Sequence, residues 1–181
     1  MSSFANRIAR AMKLESSVYE EIEHDPEALG QAMLVVALSS AAAGFGVAPW
    51  LGIGGLFWIL LAAFAGWVFW AGIIYFVGTR LLGTPSTQTN LAELLRVIGF
   101  ASAPGLFRIF GFFVAIQDIV FWVTGVWMLI AMIIAVRQAL DFLSTGRAVA
   151  VCVIGWLLHI LIVVLLIRIV GAFYGTNYSI A

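Results

Sequence analysis

Apolar residues in this chain are gathered into long blocks, with short polar stretches between them. Ala28 to Thr79 holds no charged side chain, which is room for two membrane spans of about 20 residues and a turn. The turn is predicted at Pro49-Trp50-Leu51-Gly52-Ile53-Gly54-Gly55, where breakers accompany an interfacial tryptophan. Later polar breaks fall at Gly83–Asn90, around Asp118 and at Arg137–Arg147. The pattern predicts five spans, at about 31–48, 55–77, 94–113, 119–136 and 148–167. The fold class is therefore all-α, a polytopic integral membrane protein with five transmembrane helices and an N-terminal amphipathic helix. Residues 1–27 form a leader and residues 28–181 the membrane domain.

Local signals refine this outline. Phe4, Ile8, Ala11 and Met12 recur at helical spacing with Arg7, Arg10 and Lys13 between them, a basic amphipathic helix suited to an anionic leaflet. The segment after it carries six of the nine acids in the chain. Asp25-Pro26-Glu27 reads as a helix start, as does Asn90 with Glu93 three residues on. His24 is read as a solvated neighbour of the acids around it. The third span holds Pro104 near its middle, which frees the carbonyl four residues earlier. Ser102, a water or a neighbouring helix is expected to satisfy that carbonyl. Gly99 and Gly105 thin the same span, so a kink and close helix contact are expected there.

Composition confirms lipid as the main solvent. The 181 residues are 64% hydrophobic and 10% charged, and mean hydropathy is +1.11. A soluble domain carries about 25% charged residues. Formal net charge is zero, which gives no electrostatic case for nucleic acid. Cys152 is the only cysteine, so it forms no intramolecular disulfide and reads as a buried hydrophobe. The first 30 residues have no apolar core followed by a cleavage site, and no cleavable signal peptide is expected.

Arg7, Arg10, Lys13, Arg80, Arg96, Arg137 and Arg147 fall in the leader or the even-numbered loops; Arg108 and Arg168 lie toward the other side. This imbalance predicts a cytoplasmic N-terminus and an outside C-terminus in the cytoplasmic (inner) membrane. Arg80, Arg96, Arg137 and Arg147 form the expected cytoplasmic surface.

Few ionisable groups enter the spans. Arg108 is expected in the outer third of the bilayer, snorkelling or pairing with Asp118. His159 falls near the midplane of span five, where an interhelical hydrogen bond would satisfy it. The sequence holds no HExxH, phosphate loop or paired intramembrane carboxylates, so catalysis, cofactors and metals are not expected.

Four segments carry a resemblance. They are Tyr19-Glu20-Glu21-Ile22-Glu23-His24-Asp25-Pro26; Gly78-Thr79-Arg80-Leu81-Leu82-Gly83; Arg96-Val97-Ile98-Gly99-Phe100-Ala101-Ser102-Ala103-Pro104-Gly105; and Ala135–Phe142 with Ser144–Ala148. In this order the chain resembles the bacterial branch of the Yip domain family, the Ypt/Rab-GTPase-interacting membrane proteins. The resemblance implies five spans and a cytoplasmic leader. The eukaryotic Asp-Leu-Tyr-Gly-Pro motif is missing and Gly99-Phe100 stands where those relatives have Gly-Tyr, so small-GTPase binding is not carried over. The functional expectation is a non-enzymatic scaffold in contact with lipid and other integral membrane proteins. The alternatives are an accessory subunit of a large, for example energy-transducing, complex, and a small permease or channel.

Overall fold

A computed structural model describes residues 3–47 and 52–175. Of the turn predicted at Pro49–Gly55, Pro49, Trp50 and Leu51 lie outside the described residues, as does the end of the C-terminal tail, whereas Gly52–Gly55 are already helical. The leader folds into α1 (Phe4–Met12) and α2 (Ser16–Glu23). The membrane domain follows as α3 (Ala28–Val47), α4 (Gly52–Phe76, continued by a π-turn over Val77–Leu81) and α5 (Leu91–Ala101). After α5 come a 3₁₀ stretch (Ala103–Phe112), a short second one (Val114–Ile116), α6 (Gln117–Ala139) and α7 (Thr145–Gly175). Among the described residues, five segments are long and apolar enough to cross a membrane: Ala28–Gly46, Gly54–Leu81, Leu91–Phe112, Val114–Ala139 and Thr145–Leu166. The five-span, all-helical membrane fold expected from the apolar blocks is thus present, with ends shifted by a few residues.

The spans are unequal. The third is 61% buried, whereas the second and fifth are each 17% buried. The centre of the bundle is α5 with its 3₁₀ continuation, packed against α3 and α6. Its thin surface permits this. A Cβ at Gly99 would stand 2.7 Å from the Cβ of Ala32, so α3 and α5 meet almost backbone to backbone. At Gly46 the same added atom would collide with the carbonyl oxygen of Arg108.

The third span departs from a kinked α-helix. The α form stops at Ala101, and Pro104 opens a 3₁₀ segment that continues to Phe112. The tightened turn lets the cap amides donate to the Gly99 and Phe100 carbonyls, so the carbonyl freed by Pro104 finds its donor within its own chain. Ser102 Oγ donates to the Gly99 carbonyl at 2.6 Å. Ser39 Oγ on α3 donates to the Ser102 carbonyl at 2.8 Å and its side chain lies against Gly105.

The helix starts read from sequence also form. Asn90 Oδ1 accepts from the Glu93 amide at 3.0 Å while Glu93 Oε2 accepts from the Asn90 amide at 2.8 Å. Asp25 Oδ1 accepts from the Glu27 amide at 3.0 Å.

Candidate functional site

The leader is the first surprise. Its arginines do not face a lipid leaflet. Arg7 is almost wholly buried, with Nε on Glu21 at 3.0 Å, Nη1 on Asp25 at 2.7 Å and Nη1 on Gln31 at 3.1 Å. Glu21 bridges onward to Arg10 at 2.6 Å, and Arg10 also holds Glu15 at 3.0 Å. Glu21 of α2, with Glu15 and Asp25 at its two ends, thus neutralises the arginines of α1. Lys13 stays exposed. Burial works against Arg7's charge, but the bonds to Asp25 and Glu21 outweigh it and raise its pKa further. The bond from Arg7 holds Asp25 below the usual carboxylate range, against the opposing effect of burial.

The apolar side of this pair docks on the bundle. Ala11, Val18, Tyr19 and Ile22 are fully buried. Phe4 meets Phe100 edge to face, and Trp127 Nε1 of α6 donates to the Met12 carbonyl at 2.8 Å. Val18, Tyr19, Ile22 and Glu23 fall at i, i+1, i+4 and i+5 on one helix face, and that spacing was the available signal for docking.

Under α2 lies a polar cluster. Glu23 is 5% exposed, and among the described residues its carboxylate has no hydrogen-bond partner. Burial, then Asp141, with Glu20 and Glu93 adding to them and His24 opposing, pushes its pKa up to about 7. Arg96, grouped by sequence with the surface arginines, is instead buried at 7% exposure. It donates through Nη2 to the Glu23 carbonyl, and its Nε has no partner among the described residues. Its place on the innermost span, beneath the docked leader, explains the burial. The Tyr19 hydroxyl is also buried without a partner, and burial raises its pKa. His24 is exposed, as expected, with Nδ1 2.9 Å from the Glu20 carbonyl oxygen.

Beside this cluster a groove of about 620 Å³ opens between α2, the α4–α5 loop and the α6–α7 loop. Glu20, Gln138 and Asp141 form its polar wall; Ser86, Phe142 and Leu143 complete it with Arg137. Arg137 fastens its own loop: Nε donates to the Phe142 carbonyl, Nη2 to that of Leu143 and Nη1 to Thr145 Oγ1. Asp141 has a positive φ of 51°, a conformation that Asp tolerates better than most residues. Arg80 and Arg147 are exposed.

This leader-capped five-span bundle is matched by the Yip1 domain family model over residues 13–167. The chain belongs to the Yip1 domain family. No curated protein and no solved structure is matched. The match includes α2, the groove and all five spans of this Yip1-domain protein, whereas it begins after Met12 and so leaves out α1.

Arg108 and His159 have different partners. Arg108 does not pair with Asp118. Its Nε donates to Thr124 Oγ1 at 3.2 Å and its guanidinium lies 5.3 Å from the Phe121 ring centroid. Asp118 remains exposed in the first turn of α6, where a carboxylate favours the positive end of the helix dipole. The 3₁₀ rise of about 2.0 Å per residue, against 1.5 Å in an α-helix, also carries Arg108 farther along the span. His159, on α7, packs instead against α4. It lies between Phe69 and Trp70 of α4, at 5.6 and 6.0 Å between ring centroids. The expected interhelical hydrogen bond is missing among the described residues, where Nδ1 is buried without a partner. No group of three or more His, Cys, Asp or Glu among the described residues is arranged to hold a metal ion.

Proposed function

We propose that this Yip1-domain protein is a non-enzymatic membrane scaffold that binds or stabilises other integral membrane proteins. The observation that carries this reading is the uneven exposure of the bundle. The third span is enclosed, while α4 and α7 turn Trp58, Phe69, Trp156, Leu157 and Leu161 outward. Among lipid tails such a surface gains no hydrophobic driving force, but it offers broad van der Waals contact to another helix. The exposed Ala62 and Gly66 on α4 have the spacing of a small-xxx-small contact, which supports close approach. Arg108 and His159 sit on separate helix pairs, which favours architecture over a shared transport pathway or reaction site.

The distribution of basic residues supports an inner-membrane protein with the leader in the cytoplasm. A reporter fused after Ala181 should score outside; a cytoplasmic score would reverse the topology. For the scaffold role, the protein is purified in mild detergent and its partners identified by mass spectrometry. Gly66→Leu is expected to lower recovery of those partners while leaving the protein itself folded. A single stoichiometric large complex would favour the accessory-subunit alternative.

A further inference from the structure

The leader docks deep against the spans. Trp127 Nε1 holds the Met12 carbonyl at 2.8 Å. Trp127 stands nine residues after Asp118 and ten before Arg137, the two charged residues of α6. At 1.5 Å per residue these lie about 14 and about 15 Å away, which puts Trp127 at the middle of a hydrocarbon layer of about 30 Å. α1 also packs on Phe100 and on the 3₁₀ stretch of the third span. From this level the chain climbs α6 through α2, until Glu20 meets Gln138 at the cytoplasmic end. Along the climb Lys13, Ser16 and Ser17 are exposed, and Arg10 and Glu15 are partly so.

A lysine facing acyl chains at this depth is expensive, and local thinning of the bilayer with entry of headgroups and water relieves the cost. Farther out, Arg108 continues the polar line. Its Nε holds Thr124, three residues before Trp127 on α6, and its neighbour Phe107 stacks on Trp127. Gln117 and Asp118 end the line in the first turn of α6. Among the described residues neither Lys13 nor Arg108 forms an ion pair, and the Nη groups of Arg108 make no hydrogen bond. Unpaired cations of this kind suit a phosphate. Phe107 is 41% exposed, so the line runs on the flank of the bundle, where a headgroup could move with its tails still in lipid. We propose that phospholipid headgroups cross the bilayer along this flank, between the leader, the third span and α6, so that the protein equilibrates phospholipid between the two leaflets. This goes beyond the scaffold reading and does not depend on it.

The test reconstitutes the full chain in phosphatidylcholine vesicles with a trace of NBD-labelled phosphatidylcholine, and reads reduction of the label by external dithionite. Protein-free vesicles lose only the outer-leaflet signal; with the protein the loss should run on towards completion. Lys13→Leu and Arg108→Gln should each slow this second phase about tenfold, since each removes a phosphate partner from a path through hydrocarbon. Arg108→Lys keeps the charge and should retain most of the rate. Lys13 is exposed, so Lys13→Leu should fold, and an unchanged thermal midpoint checks this. Loss confined to the outer leaflet with the unsubstituted chain would overturn the proposal, as would unchanged rates in both Lys13→Leu and Arg108→Gln. Equal bleaching of NBD-glucose trapped inside the vesicles would also overturn it, by revealing an aqueous leak. As a second arm, Lys13→Cys in a Cys152→Ala background should react with a membrane-impermeant maleimide supplied on both sides; reaction only after detergent is added would overturn the exposure of this level to water. Partners recovered through α4 and α7 with no lipid exchange would sink this proposal and leave the scaffold reading standing.

Discussion

Arg7 shows how a single side chain can fix the leader. It is fully enclosed and satisfied by Glu21, Asp25 and Gln31. Removing it leaves Asp25, itself 5% exposed, as an uncompensated buried charge. Arg7→Ala should therefore weaken docking of α1 and α2 by about 3–5 kcal/mol. Hydrogen exchange at the amides of Val18–Ile22 measures this; protection equal to the unsubstituted chain would contradict it. The acids set the pH range of the same contact. Glu23 has a folded pKa of about 7 against an ordinary 4.5, so its contribution is complete below the ordinary value and is lost as pH rises through about 7. Asp25 is lowered from 3.8, so its contribution is present above that value and is lost as pH falls through the lowered one. Protection of α2 should therefore be greatest between the ordinary values of Asp25 and Glu23, 3.8 and 4.5, and fall as pH rises from there to about 7. Glu23→Gln should remove the alkaline loss and leave the acid loss in place, read by the same exchange experiment across pH.

At the level of elements, the third span depends on two local devices. Gly99 allows α3 to reach α5, and the Ser39–Ser102 bond ties α3 to the point where α-helix becomes 3₁₀. Gly99→Val must push Ala32 away and should lower the thermal midpoint in detergent, by an amount in keeping with an overpacking cost of about 1–3 kcal/mol. Ser39→Ala should cost less, about 0.6 kcal/mol for an average intramembrane hydrogen bond. A Ser39→Ala effect larger than that of Gly99→Val would contradict this ranking. The span and its thin surface were readable from Gly99, Pro104 and Gly105, because small residues and a breaker act locally. The 3₁₀ run was harder to see: Pro104 forbids an α bond but does not say how far the tighter winding will persist. The α1–α2 pairing was also hidden. Periodicity shows that α1 has a charged face, but only the fold brings that face to α2 instead of lipid. Arg96 was misplaced for the same reason: its sequence position is at a span end, and the leader that covers it lies 73 residues away along the chain.

For the whole molecule, the enclosed third span and the open α4 and α7 faces divide the bundle into a structural centre and an outer contact surface. The apolar blocks made the number of spans legible, because burying that much hydrocarbon outside lipid is not feasible in a chain of this size. They did not tell which spans would be enclosed, since lipid-facing and protein-facing positions are both apolar. That absence of contrast also explains why His159, read as hydrogen-bonded, sits instead between the rings of Phe69 and Trp70.

The central claim, lateral binding of membrane proteins through α4 and α7, is tested most directly by photo-crosslinking in native membranes. A photoreactive amino acid is placed at Phe69 or Leu157, 40% and 55% exposed, and at Val97, which is fully buried. The scaffold account predicts defined protein adducts from Phe69 and Leu157 and none from Val97. Lipid adducts alone from both outer positions would contradict it.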